Sequence, residues 1–183
     1  MMPVGPLMIE HRLIERMVAL LRAELKRIEK QGKVDPSFVD TAVDFFRFYA
    51  DRCHHGKEED ILFAELASKP LSDEHRATMD TLVEQHVFAR RTVGQLLLDK
   101  DRLVAGDRKA IESIRKGIRA LLDLYPHHIE MEDKQFFLPC MEYFSADERE
   151  EMMHRFADFD RKLIRERYRI LIEELEEQRG QNS

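Results

Sequence analysis

The chain writes one phrase twice, far apart. Residues 54–60 read His-His-Gly-Lys-Glu-Glu-Asp and residues 127–133 read His-His-Ile-Glu-Met-Glu-Asp. Aligned, the shared skeleton is His-His-x-x-x-Glu-Asp. In each copy a His stands four residues before a Glu, as His55–Glu59 and His128–Glu132. Residues i and i+4 lie on the same face of a helix. Each copy therefore aims one imidazole and one carboxylate at a common point. Two such pairs facing each other inside a helical bundle make a site for a pair of metal ions.

The rest of the chain suits that demand. Its 183 residues are enough for one domain with a real core. Hydrophobic residues make up 43% and charged residues 36%, with only 7 Gly and 6 Pro, a mixture that favours helices over sheets. The formal net charge is −6 with both signs interspersed, which argues against a nucleic-acid footprint and for a solvated surface. Cys53 and Cys140 form no C-x-x-C motif, so neither a disulfide framework nor a redox pair is expected, and buried inert thiols are. Residues 1–6 lack a basic region followed by an apolar run, and no segment reaches bilayer-spanning length. The expectation is a cytoplasmic protein with no membrane and no nucleic-acid partner.

Five amphipathic segments are expected. The first spans about 7–30 and stops before Gly32. Asp35-Pro36 supplies an N-cap and a first-turn proline for the second, which reaches about Ala67. Ser72 caps a third that reaches about Val104. Gly106-Asp107 ends it and caps a fourth, with a kink expected at Pro126. Ser145-Ala-Asp-Glu148 is a capping-box pattern that opens a fifth. Long helices with short loops predict an all-α fold, an up-down-up-down four-helix bundle over residues 1–144, with an additional C-terminal helix and a charged tail over 145–183. The apolar positions Phe156, Phe159, Leu163, Ile170 and Leu171 of that last helix call for a partner surface. Its own bundle is expected first, and a second copy in a homodimer is the alternative.

Periodicity selects among the eight His residues. In the fourth segment Ile114, Ile118, Leu121, Tyr125, His128, Glu132 and Phe136 form an inward stripe with alternating steps of three and four. In the second, Phe45, Phe48, Arg52, His55, Glu59, Leu62 and Leu66 do the same, less decisively because Glu58 and Glu59 are adjacent. His11 lies on the apolar face of the first helix and His86 on that of the third. Singly, each is more readily a hydrogen-bonded core histidine, and each i,i+4 pair a surface ion pair. Together they demand a cation, because two carboxylates and four imidazoles in one small core would otherwise cost many kcal/mol. Mixed imidazole and carboxylate donors suit iron, manganese or zinc. Two ions bridged by Glu59 and Glu132, with two His each, distribute the six donors.

These residues make the chain resemble the hemerythrin-like, or HHE cation-binding, domains. His11, the phrases at 54–59 and 127–132, His86, and the continuations Glu58-Glu-Asp-Ile-Leu-Phe63 and Glu132-Asp-Lys-Gln-Phe-Phe-Leu-Pro139 carry the resemblance over roughly residues 7–144. The ferritin-like di-iron bundles use Glu-x-x-His instead. The resemblance implies two non-haem iron ions with an oxo or hydroxo bridge, taking O2 or another small diatomic or peroxide ligand. It makes His11, His55, His86 and His128 terminal ligands and Glu59 and Glu132 bridges. Oxygen-carrying hemerythrins have five His ligands, with His-x-x-x-His on the third helix. Here the positions four before and four after His86 are Leu82 and Arg90. A fifth imidazole is expected to be missing unless His54, His75 or His127 substitutes, and His75 lies about 16 Å along the helix from His86. A more open, more symmetric centre follows, with Glu58 as a seventh candidate ligand and Tyr125 as a neighbour able to hydrogen-bond a ligand. The expected role is binding or sensing of O2 or redox state. The alternatives are an enzyme reducing peroxide or nitric oxide, and a metal-stabilised structural module.

Overall fold

The computed structural model describes the backbone of residues 2–180 and, toward the C-terminus, the side chains through Arg169 together with Ile172. Among these residues the fold is all-helical. Helix α1 is Val4–Gln31 and ends on Gly32, whose φ of 64° lets its N–H reach back to the Ile28 carbonyl. Helix α2 starts with Pro36–Phe45, capped by Asp35, which accepts from the backbone N–H groups of Ser37 and Phe38. It continues without a break through two π-helical stretches, Phe46–His55 and Glu58–Phe63, and closes with Ala64–Ala67. Helix α3 is Asp73–Val104, capped by Ser72. Helix α4 comprises Ala110–Met131, with Pro126 inside it, and goes on as the π stretch Glu132–Phe136 and the turn Phe137–Cys140. Asp107 does not cap it. Its carboxylate accepts from Lys109 N in the preceding turn, and Lys109 takes the cap position. Helix α5 is Ala146–Gly180, opened by the expected capping box: Ser145 N–H donates to Glu148, and Glu148 N–H to Ser145 Oγ.

Helices α1 to α4 bury their apolar stripes against one another. In α1, Leu7, His11, Ile14, Val18, Leu21, Leu25 and Ile28 are buried, as is every member of the predicted α4 stripe from Ile114 to Phe136. The core divides into two apolar layers. One is built on Ile14, Leu21, Val43, Phe46, Ile118 and Tyr125. The other is built on Leu7, Leu62, Leu82, Phe136, Phe137 and Phe156. Between them lies a buried polar layer of His11, His54, His55, Glu58, His86, His128 and Glu132. Helix α5 packs on this bundle through Met152, Phe156 and Leu163, all buried, with Phe159 partly so. Of the five apolar positions predicted to need a partner, the side chains of Ile170 and Leu171 lie outside the described residues, as do residues 181–183 of the tail. No described helix is long and apolar enough to cross a membrane.

Candidate metal centre

The polar layer draws donors from all four bundle helices. Helix α1 gives His11, α2 gives His54, His55 and Glu58, α3 gives His86, and α4 gives His128 and Glu132. Their ligand atoms fall into two groups, each with atoms within 4.8 Å of one another: His55, Glu58, His86 and His128; and His11, His54, Glu58 and Glu132. Glu58 belongs to both. Its Oε1 lies 3.3 Å from His54 Nε2 and its Oε2 lies 3.4 Å from His86 Nε2. Glu132 also faces both sides, with Oε2 at 3.1 Å from His11 Nε2 and 3.2 Å from His128 Nε2. The rings crowd together, His55 and His86 stacking at 3.8 Å between centroids and His11 and His54 meeting edge-on at 4.6 Å.

Of the six residues predicted as ligands, five meet here: His11, His55, His86, His128 and Glu132. Glu59 does not. It is a quarter exposed, and its Oε1 accepts from His86 Nδ1 and from Arg90, each at 2.7 Å. The carboxylate inside the cluster is Glu58, wholly buried. The centre also gains His54, which the periodicity had passed over. His127 is exposed, and His75 is spent on the Tyr143 hydroxyl at 2.9 Å.

The correction has a physical cause. An α-helix advances its inward stripe by alternating steps of three and four. One buried row of α2 runs Phe46, Ala50, His54, Glu58, Leu62 and Leu66, a constant step of four. The π-helical stretches supply it, because each i→i+5 turn holds one more residue than an α turn. The two copies of the motif therefore correspond one residue away from their literal alignment. His54-x-x-x-Glu58-Glu59 matches His128-x-x-x-Glu132-Asp133. His55 then takes the place of Ile129 and makes the first copy one imidazole richer.

A second ring of acceptors fixes the imidazoles. His11 Nδ1 faces Asp133 at 2.7 Å, His54 Nδ1 faces Glu10 at 2.9 Å, His86 Nδ1 faces Glu59 at 2.7 Å, His128 Nδ1 faces the Gln85 carbonyl at 2.8 Å, and His55 Nδ1 faces Asp51 at 3.3 Å. An acceptor at Nδ1 holds the proton there and leaves the Nε2 lone pair pointing inward. Cations then close the outer side: Arg12 on Asp133, Lys57 on Glu10, and Arg90 on both Asp51 and Glu59. Each inner Glu, Glu58 and Glu132, is thus followed by an acid that holds a His of another helix, Glu59 for His86 and Asp133 for His11. The Glu-Asp end of the shared phrase was the available signal for Asp133. The other acceptors come from distant stretches of sequence and carry no local one.

The inner atoms have no such partners. The Nε2 atoms of His11, His54, His55, His86 and His128, and both carboxylate oxygens of Glu58 and Glu132, are buried without a hydrogen bond. Burial at this density strains the protonation states. Burial lowers His128 to about 4, and burial with the adjacent His86 pushes His55 well down. His11 is also buried, yet Asp133 and Glu132 outweigh that and hold it up to about 9. Burial and the facing Glu132 raise Glu58, whereas His128, His11 and His86 overcome burial and keep Glu132 ionised. Buried polar atoms are almost always satisfied. Nine converging donor atoms without partners, all imidazole nitrogen or carboxylate oxygen, are a donor set that suits a metal ion.

The family comparison agrees. The hemerythrin HHE cation binding domain matches residues 2–138. The chain belongs to this family. No match to a curated protein or to a solved structure was found. The match covers every residue of the donor cluster described above and stops short of α5. Five imidazoles and two carboxylates now stand where four and two were expected, with the fifth imidazole, His54, coming from α2 rather than α3. The imidazoles divide three to two between the groups, each of which has four donor residues.

The remaining candidates are quiet. Tyr125 stacks on Phe46 at 5.0 Å and meets the His128 ring edge-on at 6.5 Å. Cys53 and Cys140 are free, and burial pushes both thiols up to about 12, which keeps them protonated and unreactive. A cleft of about 490 Å³ between α2 and α3, lined by Phe46, Arg90, Val93 and Tyr125, reaches His55 from the surface.

Proposed function

We propose that this hemerythrin-family chain holds two iron ions and uses them to bind or sense O2 or redox state. The observation that carries the reading is the set of nine buried, unpartnered donor atoms arranged as two groups that share Glu58. His55, His86 and His128 would hold one ion, His11 and His54 the other, with Glu58 and Glu132 between them. Iron so held would supply a redox-active pair able to take a diatomic ligand. The protein's own part is to fix five imidazoles by their Nδ1 acceptors, flank them with two apolar layers, and supply one imidazole fewer on the His11–His54 side. Phe137, wholly buried and stacked on His11 at 5.7 Å, makes that side apolar, which favours a small uncharged ligand.

The test is the optical spectrum of anaerobically iron-loaded protein before and after O2. New near-ultraviolet charge-transfer bands on oxygenation are the expected result. No spectral response to O2, with a single zinc bound in iron's place, would leave only a metal-stabilised bundle. Steady consumption of added peroxide or nitric oxide by the loaded protein would move the reading to an enzyme.

A further inference from the structure

Helix α5 lies outside the residues that match the family, yet it docks on the first copy of the ligand motif. Two contacts do this. The Phe159 ring packs on Gly56, so closely that a Cβ there would stand 2.7 Å from Phe159 Cζ. Next to it, Asp160 reaches Lys57, with Oδ1 at 2.9 Å from Nζ. Gly56 and Lys57 are the two residues between the ligands His55 and Glu58.

Lys57 is 1% exposed, which is rare for a lysine and requires pairing. Its ammonium sits between Asp160 of α5 and Glu10 of α1, and the other oxygen of Glu10 accepts from His54 Nδ1 at 2.9 Å. Cys53 Sγ adds a contact to Asp160 at 3.5 Å. Glu10, Cys53 and Asp160 by themselves have metal-ligand spacing, but the Lys57 ammonium already neutralises the two carboxylates. What the cluster builds is a continuous chain from α5 to a ligand: Asp160, Lys57, Glu10, His54. His86, His55 and His11 have comparable acid-and-cation supports that end at the bundle surface on Arg90 and Arg12. Among the described residues, the His54 chain is the one that ends on α5.

We infer that Asp160 and Lys57 are positioning residues for His54, and that docking of α5 and loading of the metal centre are thereby linked. This rests on the metal reading above. Glu10 must hold His54 to present Nε2, and Glu10 is itself held by a lysine that α5 keeps in place. Loosening α5 therefore frees Glu10 and weakens the two-histidine ion, and by reciprocity a bound ion tightens α5. In this arrangement α5 is the element through which the state of the centre is read.

The experiment pairs Fe(II) affinity with backbone hydrogen exchange of residues 152–163, in the full chain. In the wild type, loading is expected to slow exchange in α5. Asp160→Asn is expected to weaken binding about tenfold, the usual cost of losing an outer support, and to abolish the slowing of α5 on loading. Asp160→Glu restores both. Phe159→Ala tests packing alone: it speeds α5 exchange with and without metal but keeps the difference between the two states. Wild-type affinity in Asp160→Asn, or α5 exchange that ignores loading while α1 to α4 respond, overturns the linkage and leaves the metal reading standing. Failure of the wild type to take up iron overturns both.

Discussion

Glu58 and Glu59 are adjacent and chemically identical, and the helix gives them different work. Glu58 is buried with both oxygens unpartnered and common to the two donor groups. Glu59 stands outside, holding His86 by Nδ1 and held in turn by Arg90. The same Glu→Gln substitution is expected to have different outcomes at the two positions. Glu58→Gln removes the shared carboxylate and is expected to leave at most one metal per chain, whereas Glu59→Gln keeps both ions and weakens binding by roughly 10–100-fold, as for other outer supports of metal ligands. Metal analysis after equilibration at graded free iron separates the two. His54→Ala should likewise cost the chain one ion and not both. At this scale the sequence was partly readable. His11, His86, His128 and Glu132 follow from α-helical periodicity because the segments that carry them are α-helical up to the ligand. His54 and Glu58 do not, because the π-helical phase slip in α2 has no marker among residues 46–63 that a 3.6-residue period can detect.

The elements themselves rest on local rules. The caps at Asp35, Ser72 and Ser145 form as their residue types require, and Gly32 and Gly106 both adopt the positive φ that ends their helices. Asp35→Ala removes an acceptor for two backbone N–H groups at the start of α2 and is expected to cost about 1 kcal/mol in urea denaturation. Helix α5 is held differently, by apolar burial. Phe156 is 3% exposed in the layer below the metal centre, so Phe156→Ala is expected to cost about 3–5 kcal/mol and to lower the thermal midpoint of the whole chain. The boundaries of these helices were legible because caps and glycines are local signals. The seat of α5 was not, since Phe159 on Gly56 and Asp160 on Lys57 are contacts across 103 residues of sequence.

For the molecule as a whole, the polar layer is costly without metal and sets its pH behaviour. In the metal-free protein His54, His55 and His128 have lowered folded pKa values, so their contribution is present above the unfolded value of 6.5 and is lost as pH falls below it, toward about 4 for His128. For His128 alone the shift from 6.5 to about 4 corresponds to about 3 kcal/mol. His11 and His86 are raised, so their contribution is full below 6.5 and is lost as pH rises, through about 9 for His11. Glu58, also raised, acts in the same direction as these two, and three lowered imidazoles outnumber it below 6.5. Metal-free stability is therefore expected to peak near pH 6.5, which chemical denaturation across a pH series measures. Loading displaces the protons that His11 and Glu58 retain, so affinity rises with pH.

All of this turns on the polar layer being a two-metal site, and the most direct measurement is the number of iron ions bound per chain at saturation under anaerobic conditions. Two per chain is the predicted result, with Glu58→Gln falling to one or none. A saturating value of one in the wild type, or none with the fold intact, would contradict the account.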